Sequence, residues 1–372
     1  MNARILRVLW GLGGGLSMAL LVVLSSPKER RELRRVSIPD GGICPDLSID
    51  RDALEIVYSR DGETYFASSR NEGKSFSPAK RLSTPLSSAV IGHERGPKVA
   101  AAGAIHVVWM GPRGAPLSVF YVRSTDGGQT FSEPVDLTKG SSGVDGVSVA
   151  ADAEGHVYVV WLDGGRGPDG PTSSNILFRD SNDNGETFAP VQALRSNYPG
   201  GACSCCQMKA LTGPDRKLLV GFRGAHRNIR DIVLLGGSVG SAPLGATPVS
   251  NDHWQLDACP MAGPFLQRTV GELLVSWTSD GEVYRALSRD DGQTFGPRTS
   301  PAEPRRSPRR DAIGLTDGSG ETLFAWVEGS HLHWERISSH GRVHEWGENP
   351  DLPVNSKPAA FVNRDGGFSV VY

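Results

Sequence analysis

Sulfur chemistry is concentrated in one short stretch of this 372-residue chain, Gly201-Ala-Cys-Ser-Cys-Cys-Gln-Met208. Three thiols within four residues, Cys203, Cys205 and Cys206, cannot all pair with one another, because a disulfide wants Cα atoms roughly 5.5 Å apart. Partners must come from elsewhere: Cys259, in Asp257-Ala-Cys-Pro-Met261, is the first choice and Cys44 the second. Oxidised, these residues would staple loops in an oxidising compartment, and the odd count of five leaves a sulfur over. Reduced, they would make a thiolate site for copper or zinc, since soft Cys and Met ligands select such ions. Met208 and Met261 each follow a cysteine by two residues, and His253 shares the approach to Cys259. The spacing matches no standard zinc or ferredoxin pattern, and a reactive thiol is a third reading.

A second set of residues suits anions. Arg95, Arg223, Arg227 and Arg230, with His226 beside them, are ligand-binding candidates, because a guanidinium fork pairs with a carboxylate through two hydrogen bonds. Sugar hydrolysis would need two facing carboxylates, and Asp163, Asp169, Asp252, Asp257 and Asp311 are available. Nothing in the sequence selects a pair, so no catalytic residue is assigned.

The elements that must position these residues are announced by an octapeptide that occurs four times. It begins at Ser69, Ser124, Ser181 and Ser288, so the first starts are 55 and 57 residues apart and the last gap spans two periods. A fixed period of about 50 residues means an array of one supersecondary unit. The third position (Asn71, Asp126, Asp183, Asp290) can bond its own backbone and shape a turn. The fifth (Gly73, Gly128, Gly185, Gly292) permits positive φ, and the closing Phe76, Phe131, Phe188 or Phe295 can wedge between neighbouring sheets. The phrase resembles the Asp-box, or BNR, repeat of sialidase-like β-propellers, and the resemblance covers residues 44–372. It implies an all-β propeller of four-stranded blades whose boxes are structural.

Seven strand pairs accompany the boxes, at Pro45–Tyr58, Pro97–Trp109, Val147–Trp161, Gln207–Phe222, Pro260–Trp277, Asp311–Trp326 and Pro358–Tyr372. Their alternation and β-branched content favour seven blades, with six the alternative. Outer hairpins without a clear box are expected near Gly236-Gly237-Ser238 and Ser338-Ser339-His340-Gly341. The last unit ends with two strands, and Arg35–Pro39, within a linker at 27–43, is expected to close the ring and remove an exposed edge. Propeller topology puts box hairpins on one face. The opposite face receives Gly111–Leu117, Asp163–Ser174, Arg223–Asn228, Arg95 and all five cysteines, and function is expected there.

The resemblance also implies a test. Sialidases hold the substrate carboxylate with three arginines, the first in a Phe/Tyr-Arg-Ile-Pro phrase, and use a late tyrosine nucleophile. Here Val36-Ser37-Ile38-Pro39 puts Ser37 in the arginine's place, and the only tyrosine after Tyr284 is Tyr372. The catalytic set is therefore expected to be absent.

Residues 1–26 read as a transmembrane anchor or signal sequence, because Val8 to Leu24 carries no charge. Gly11, Gly15 and Ala19 would give that helix a smooth face for packing. Five basic residues follow the run and only two precede it, which taken literally would leave the propeller in the cytoplasm. The family's exported relatives favour the periplasmic side of a bacterial inner membrane. A net charge of −2 argues against nucleic acid as a partner. The second basic run, Arg305-Arg306-Ser307-Pro308-Arg309-Arg310, reads as solvated loop charge. Together these features favour a membrane-anchored subunit that binds protein partners in a membrane complex, rather than an enzyme. The alternatives are a secreted sialidase-type glycoside hydrolase acting on acidic sugars, and a periplasmic protein that handles copper or zinc at Cys203–Cys206.

Overall fold

The computed structural model describes residues 33–112, 116–138, 143–165, 167–240, 243–352 and 357–372. Most of their strands form seven small sheets in chain order, the blades of an all-β propeller, and an eighth, two-stranded sheet pairs Ser173–Ser174 with Ala202–Cys203. The innermost strands are Ile43–Asp50, Lys98–Ala102, Asp145–Ala151, Lys209–Thr212, Phe265–Thr269, Arg309–Thr316 and Ala359–Val362. Each pairs antiparallel with the next strand outward. Those second strands are covered by neighbouring blades on both faces, so they read as continuous apolar runs instead of alternating. Val157–Leu162 is buried throughout, and so is Thr322–Glu328. An aromatic residue stands at or near the outer end of all seven second strands: Tyr58, Trp109, Trp161, Phe222, Trp277, Trp326 and Tyr372, each at most 5% exposed. Aromatic rings bury ~150–250 Å² apiece, which makes this ring of side chains a large share of the inter-blade core.

The seventh blade closes as the sequence suggests, with small differences. Its third strand is Arg34–Val36, running parallel to Phe368–Val371. The fifth blade has three strands, and a single bridge between Arg285 and Thr299 stands where a fourth would lie. Both box-free hairpins are present, Ile232–Ser238 with Gly245–Pro248 and His331–Ile337 with Val343–Asn349. Side chains lace adjacent inner strands together: the Val99 and Ala101 amides donate to Asp46 Oδ2 and Ser48 Oγ, both at 2.9 Å.

The octapeptide folds the same way in each copy. In the third, the Ser181 hydroxyl donates to Asp183 Oδ1, while the Gly185 amide donates to Ser181 Oγ and the Thr187 amide to Asp183 Oδ1. These bonds to the charged form hold the Asp126 and Asp183 carboxyls well below the usual carboxylate range, and bring Asp290 down to about 2. The closing rings do pack on the preceding blade. Phe131 meets Phe66 edge-on at 5.0 Å, and Phe188 meets Tyr121 at 4.8 Å. Gly185 has φ 76°, and an added Cβ would land 1.7 Å from the Tyr121 hydroxyl, so the position excludes side chains twice over.

One expectation is corrected. The second basic run is not solvated loop charge throughout, because Arg309 is 2% exposed. It spans Glu282 and Glu328 at 3.0 Å each and lies over the Trp326 ring. The anchor or signal at 1–26 lies outside the described residues. Among the described residues no helix is long and apolar enough to cross a membrane.

Candidate functional site

The inner strands enclose an axial channel of about 490 Å³, lined mostly by small and apolar residues. On the face opposite the boxes it narrows to a mouth of about 70 Å³. That is room for a few waters or one small anionic group, at ~30 Å³ per water. The mouth is charged because residues at or near the entry ends of several inner strands line it. Cys44, Asp46, Lys98, Lys209 and Lys357 line it, together with His93 and Glu94 from the connection into blade two.

Glu94 is the anchor of this cluster. Its buried carboxylate accepts the Gly263 amide at 2.8 Å, the Gln207 amide at 3.2 Å and the Lys357 ammonium at 2.8 Å. Burial works against the charge on Lys357, yet Glu94 and Asp311 hold its pKa above the ordinary value. Asp311 accepts His93 Nε2 at 2.8 Å and also pairs with Arg310. Burial pushes its carboxyl up, but His93, Lys357 and Arg310 win and keep it low. Lys98 is the exception. Burial lowers its pKa, Lys209 and Lys357 add repulsion, and Asp46 only partly opposes them. The charged form of Lys98 is thus disfavoured at the mouth, and an arriving anion would favour it.

The cysteines divide into two places. Cys44 is buried at the mouth, its thiol directed at the Gly92 carbonyl 3.2 Å away, and burial raises its pKa. The other four gather to one side, with their sulfurs all within 4.8 Å of one another. Cys205 is disulfide-bonded to Cys259, the partner the sequence favoured. Cys203 lies in the short strand Ala202–Cys203, paired with Ser173–Ser174, and Cys206 follows on a turn whose amide donates to the Cys203 carbonyl at 3.3 Å. Met208 does not join the sulfur group: it packs in the core between blades three and four, beside Tyr158 and Phe222. Met261 sits in left-handed backbone at φ 47°. His253 is drawn to Asp231, with Nδ1 3.6 Å from Oδ2.

The candidate arginines are dispersed. Arg95 makes a two-point pair with Asp145, with Nε 3.0 Å from Oδ1. Arg223 is buried, donating to the Ala262, Arg230 and Thr278 carbonyls. Arg230 is 0% exposed and donates through Nε to the Leu256 carbonyl at 3.0 Å. Arg227 is exposed beside His226, whose Nδ1 is 3.2 Å from Asp169 Oδ1. His226 also borders a flank cavity of about 340 Å³ with Tyr198 and Asp231. The Tyr372 ring is buried under the Arg35 guanidinium.

Sequence reasoning passed over the mouth lysines and Glu94. A signal was present: Lys98 and Lys209 open inner strands, Lys357 lies two residues before one, Asp46 is the fourth residue of another, and three of the four stand beside a proline. Superposing the seven strand pairs would have put them at one level on the axis.

No family model and no curated protein sequence matches the chain. Solved structures do. An ulvan lyase of a polysaccharide lyase family, bound to -[GlcA(1-4)Rha3S]-, is similar at TM-score 0.52 and 11% identity, over 89% of this chain and 86% of its own. The K499G mutant of the NanB sialidase from Streptococcus pneumoniae is similar at TM-score 0.52 and 11% identity, over 86% and 80%. A Hadza microbial sialidase is similar at TM-score 0.50 and 13% identity, over 86% and 68%. At such identities the likeness shows the fold, a sialidase-like β-propeller, and nothing finer.

Proposed function

We propose that this propeller acts on an acidic carbohydrate, taking the sugar's anionic group at the channel mouth. The carrying observation is the convergence there of Lys98, Lys209 and Lys357, with Lys98 left short of a counter-charge. The narrow opening suits a carboxylate or sulfate, with the sugar ring resting above it. Lysines would then replace the arginine triad that sialidases use, in keeping with Ser37 standing where the first arginine belongs. The His93–Asp311 pair beside the lysines offers a proton donor or acceptor for breaking a glycosidic bond. Support also comes from similar folds that include a lyase bound to a GlcA-containing saccharide and two sialidases. The reading as a membrane-complex assembly subunit rests on the anchor at 1–26, the missing sialidase set and the Gly/Pro-rich loop face, and its placement outside a bacterial inner membrane on the resemblance to exported relatives; the similar folds favour the carbohydrate reading over it.

The test is affinity electrophoresis of the full chain through gels containing uronate-rich, sulfated or neutral polysaccharides, followed by product analysis. Retardation by acidic polymers alone, weakened at least tenfold in Lys98→Met, is expected. New reducing ends with or without an unsaturated uronate would then distinguish hydrolysis from elimination. Retardation by neutral polymers alone, or unchanged behaviour of Lys98→Met, would overturn the proposal.

A further inference from the structure

We propose that Cys203, Cys205, Cys206 and Cys259 form a tetrathiolate site that binds one zinc ion when the Cys205–Cys259 disulfide is opened. Geometry comes first. A tetrahedral ion with Zn–S bonds of ~2.3 Å separates its sulfurs by about 3.8 Å. The Cys203 sulfur lies 3.2 Å from that of Cys206 and 3.9 Å from that of Cys205, and all four fall within 4.8 Å. The Cys205 and Cys259 sulfurs, bonded to each other in the oxidised chain, must part by roughly 1.8 Å once reduced, while the remaining separations need changes of about 1 Å or less to close on a single ion. Four thiolates in tetrahedral array select zinc or iron over harder cations.

The surroundings point to the same charge state. Arg223 and Arg230 are both fully buried, and both lie close to Cys203. Arg223 has its N–H groups on carbonyls, but Arg230 Nη1 and Nη2 have no hydrogen-bond partner. An uncompensated buried guanidinium is strongly destabilising. The carboxylates within electrostatic reach of Arg223 are engaged elsewhere: Glu94 by Lys357 and two amides, Asp231 by His253 and Ser250. One divalent ion with four thiolates carries two negative charges, which matches the two buried arginines. With every cysteine in a disulfide the cluster would be neutral, and Arg230 Nη1 and Nη2 would face no anionic group among the sulfurs.

The protein also holds the fourth ligand in place from the arginine side. The Arg230 amide donates to the Trp254 carbonyl at 2.8 Å, and its Nε to the Leu256 carbonyl, so the segment leading to Cys259 is strapped to the buried cation. Loading follows a balanced course. A thiol or phosphine reductant supplies two electrons, and with two protons the disulfide becomes two thiols. Zn²⁺ then displaces four protons from the four thiols. This site is separate from the sugar reading, because it uses none of the mouth lysines.

The test reduces the full chain anaerobically with a water-soluble phosphine and titrates it with Zn²⁺, then with Co²⁺ as a spectroscopic stand-in. Native intact mass should show one zinc per chain, and cobalt should give the thiolate charge-transfer absorption of a four-sulfur tetrahedral site. Cys203→Ser should abolish stoichiometric binding. Cys259→Ser should do so too, and as this residue is exposed in a loop, its loss does not threaten the core. Cys44→Ser should bind like wild type, and Arg230→Gln should bind at least tenfold more weakly. A reduced wild-type chain that stays metal-free overturns the proposal. So does a disulfide that resists reduction while no metal is taken up, or a Cys259→Ser chain with undiminished affinity.

Discussion

Removing the Glu94 carboxylate should destabilise the propeller far more than an ordinary polar truncation, and the structure gives the size. Three donors converge on that carboxylate: the Gly263 and Gln207 amides and the Lys357 ammonium, at 2.8, 3.2 and 2.8 Å. The Glu94 side chain is 3% exposed and Lys357 22%, so the pair lies between a surface and a buried ion pair. Glu94→Ala orphans two amides at ~1–3 kcal/mol each and leaves a largely buried cation unpaired, for a total of about 5 kcal/mol. Glu94→Gln keeps an acceptor for the amides and loses the charge alone, so it should cost about 2 kcal/mol, discounted for solvent screening of Lys357. Lys357→Met added to Glu94→Gln removes the stranded cation, and the double variant should be no less stable than Glu94→Gln. Equilibrium urea unfolding at pH 7 with a constant m value measures these three and Lys357→Met alone, which completes the cycle. Strictly additive single changes, or a Glu94→Ala cost below about 1 kcal/mol, would refute the view that Glu94 organises the mouth.

Acid should weaken the fold through His106. Burial, with help from Arg123, lowers its pKa from 6.5 to about 4, and its Nδ1 meets the Tyr121 hydroxyl at 2.8 Å. The folded value lies below the unfolded one, so the unfolded chain takes the proton first as pH falls. Stability from neutral His106 is complete above about pH 6.5 and is lost toward pH 4, by about 3 kcal/mol in all. Urea midpoints at pH 7.5 and 5.0 should converge in His106→Asn, and an unchanged pH slope in that variant rules the mechanism out. Two glycines with similar φ separate backbone strain from overlap. Gly62→Ala, with φ 81° and open space around it, should cost ~1 kcal/mol, and Gly185→Ala at least ~3 kcal/mol because the methyl strikes Tyr121. Equal losses at the two sites, read from thermal midpoints, would show that overlap contributes nothing.

The sequence by itself determined the repeat, and through it the architecture. Ser181, Asp183, Gly185 and Phe188 act within eight residues: a hydroxyl, a carboxylate, a positive-φ amide and a wedge, whose chemistry is local and can be read locally. The seven inner hairpins were legible for a related reason, since strands buried on both faces leave apolar runs that end in an aromatic. The Cys205–Cys259 pairing was within reach because few sulfurs compete for partners. Only the tertiary structure decided which charges meet. Lys98, Lys209 and Lys357 come from three blades, and Glu94 and Lys357 are 263 residues apart in sequence. Arg223 and Arg230 read as ligand-binding candidates and are buried beside sulfur, while Met208 read as a candidate ligand and packs in the core. Ring closure brings such residues together at the axis, and burial then fixes whether a side chain binds a ligand, balances a charge or fills space. A periodic pattern records the strands that build the ring, but an electrostatic partnership across it leaves no local trace.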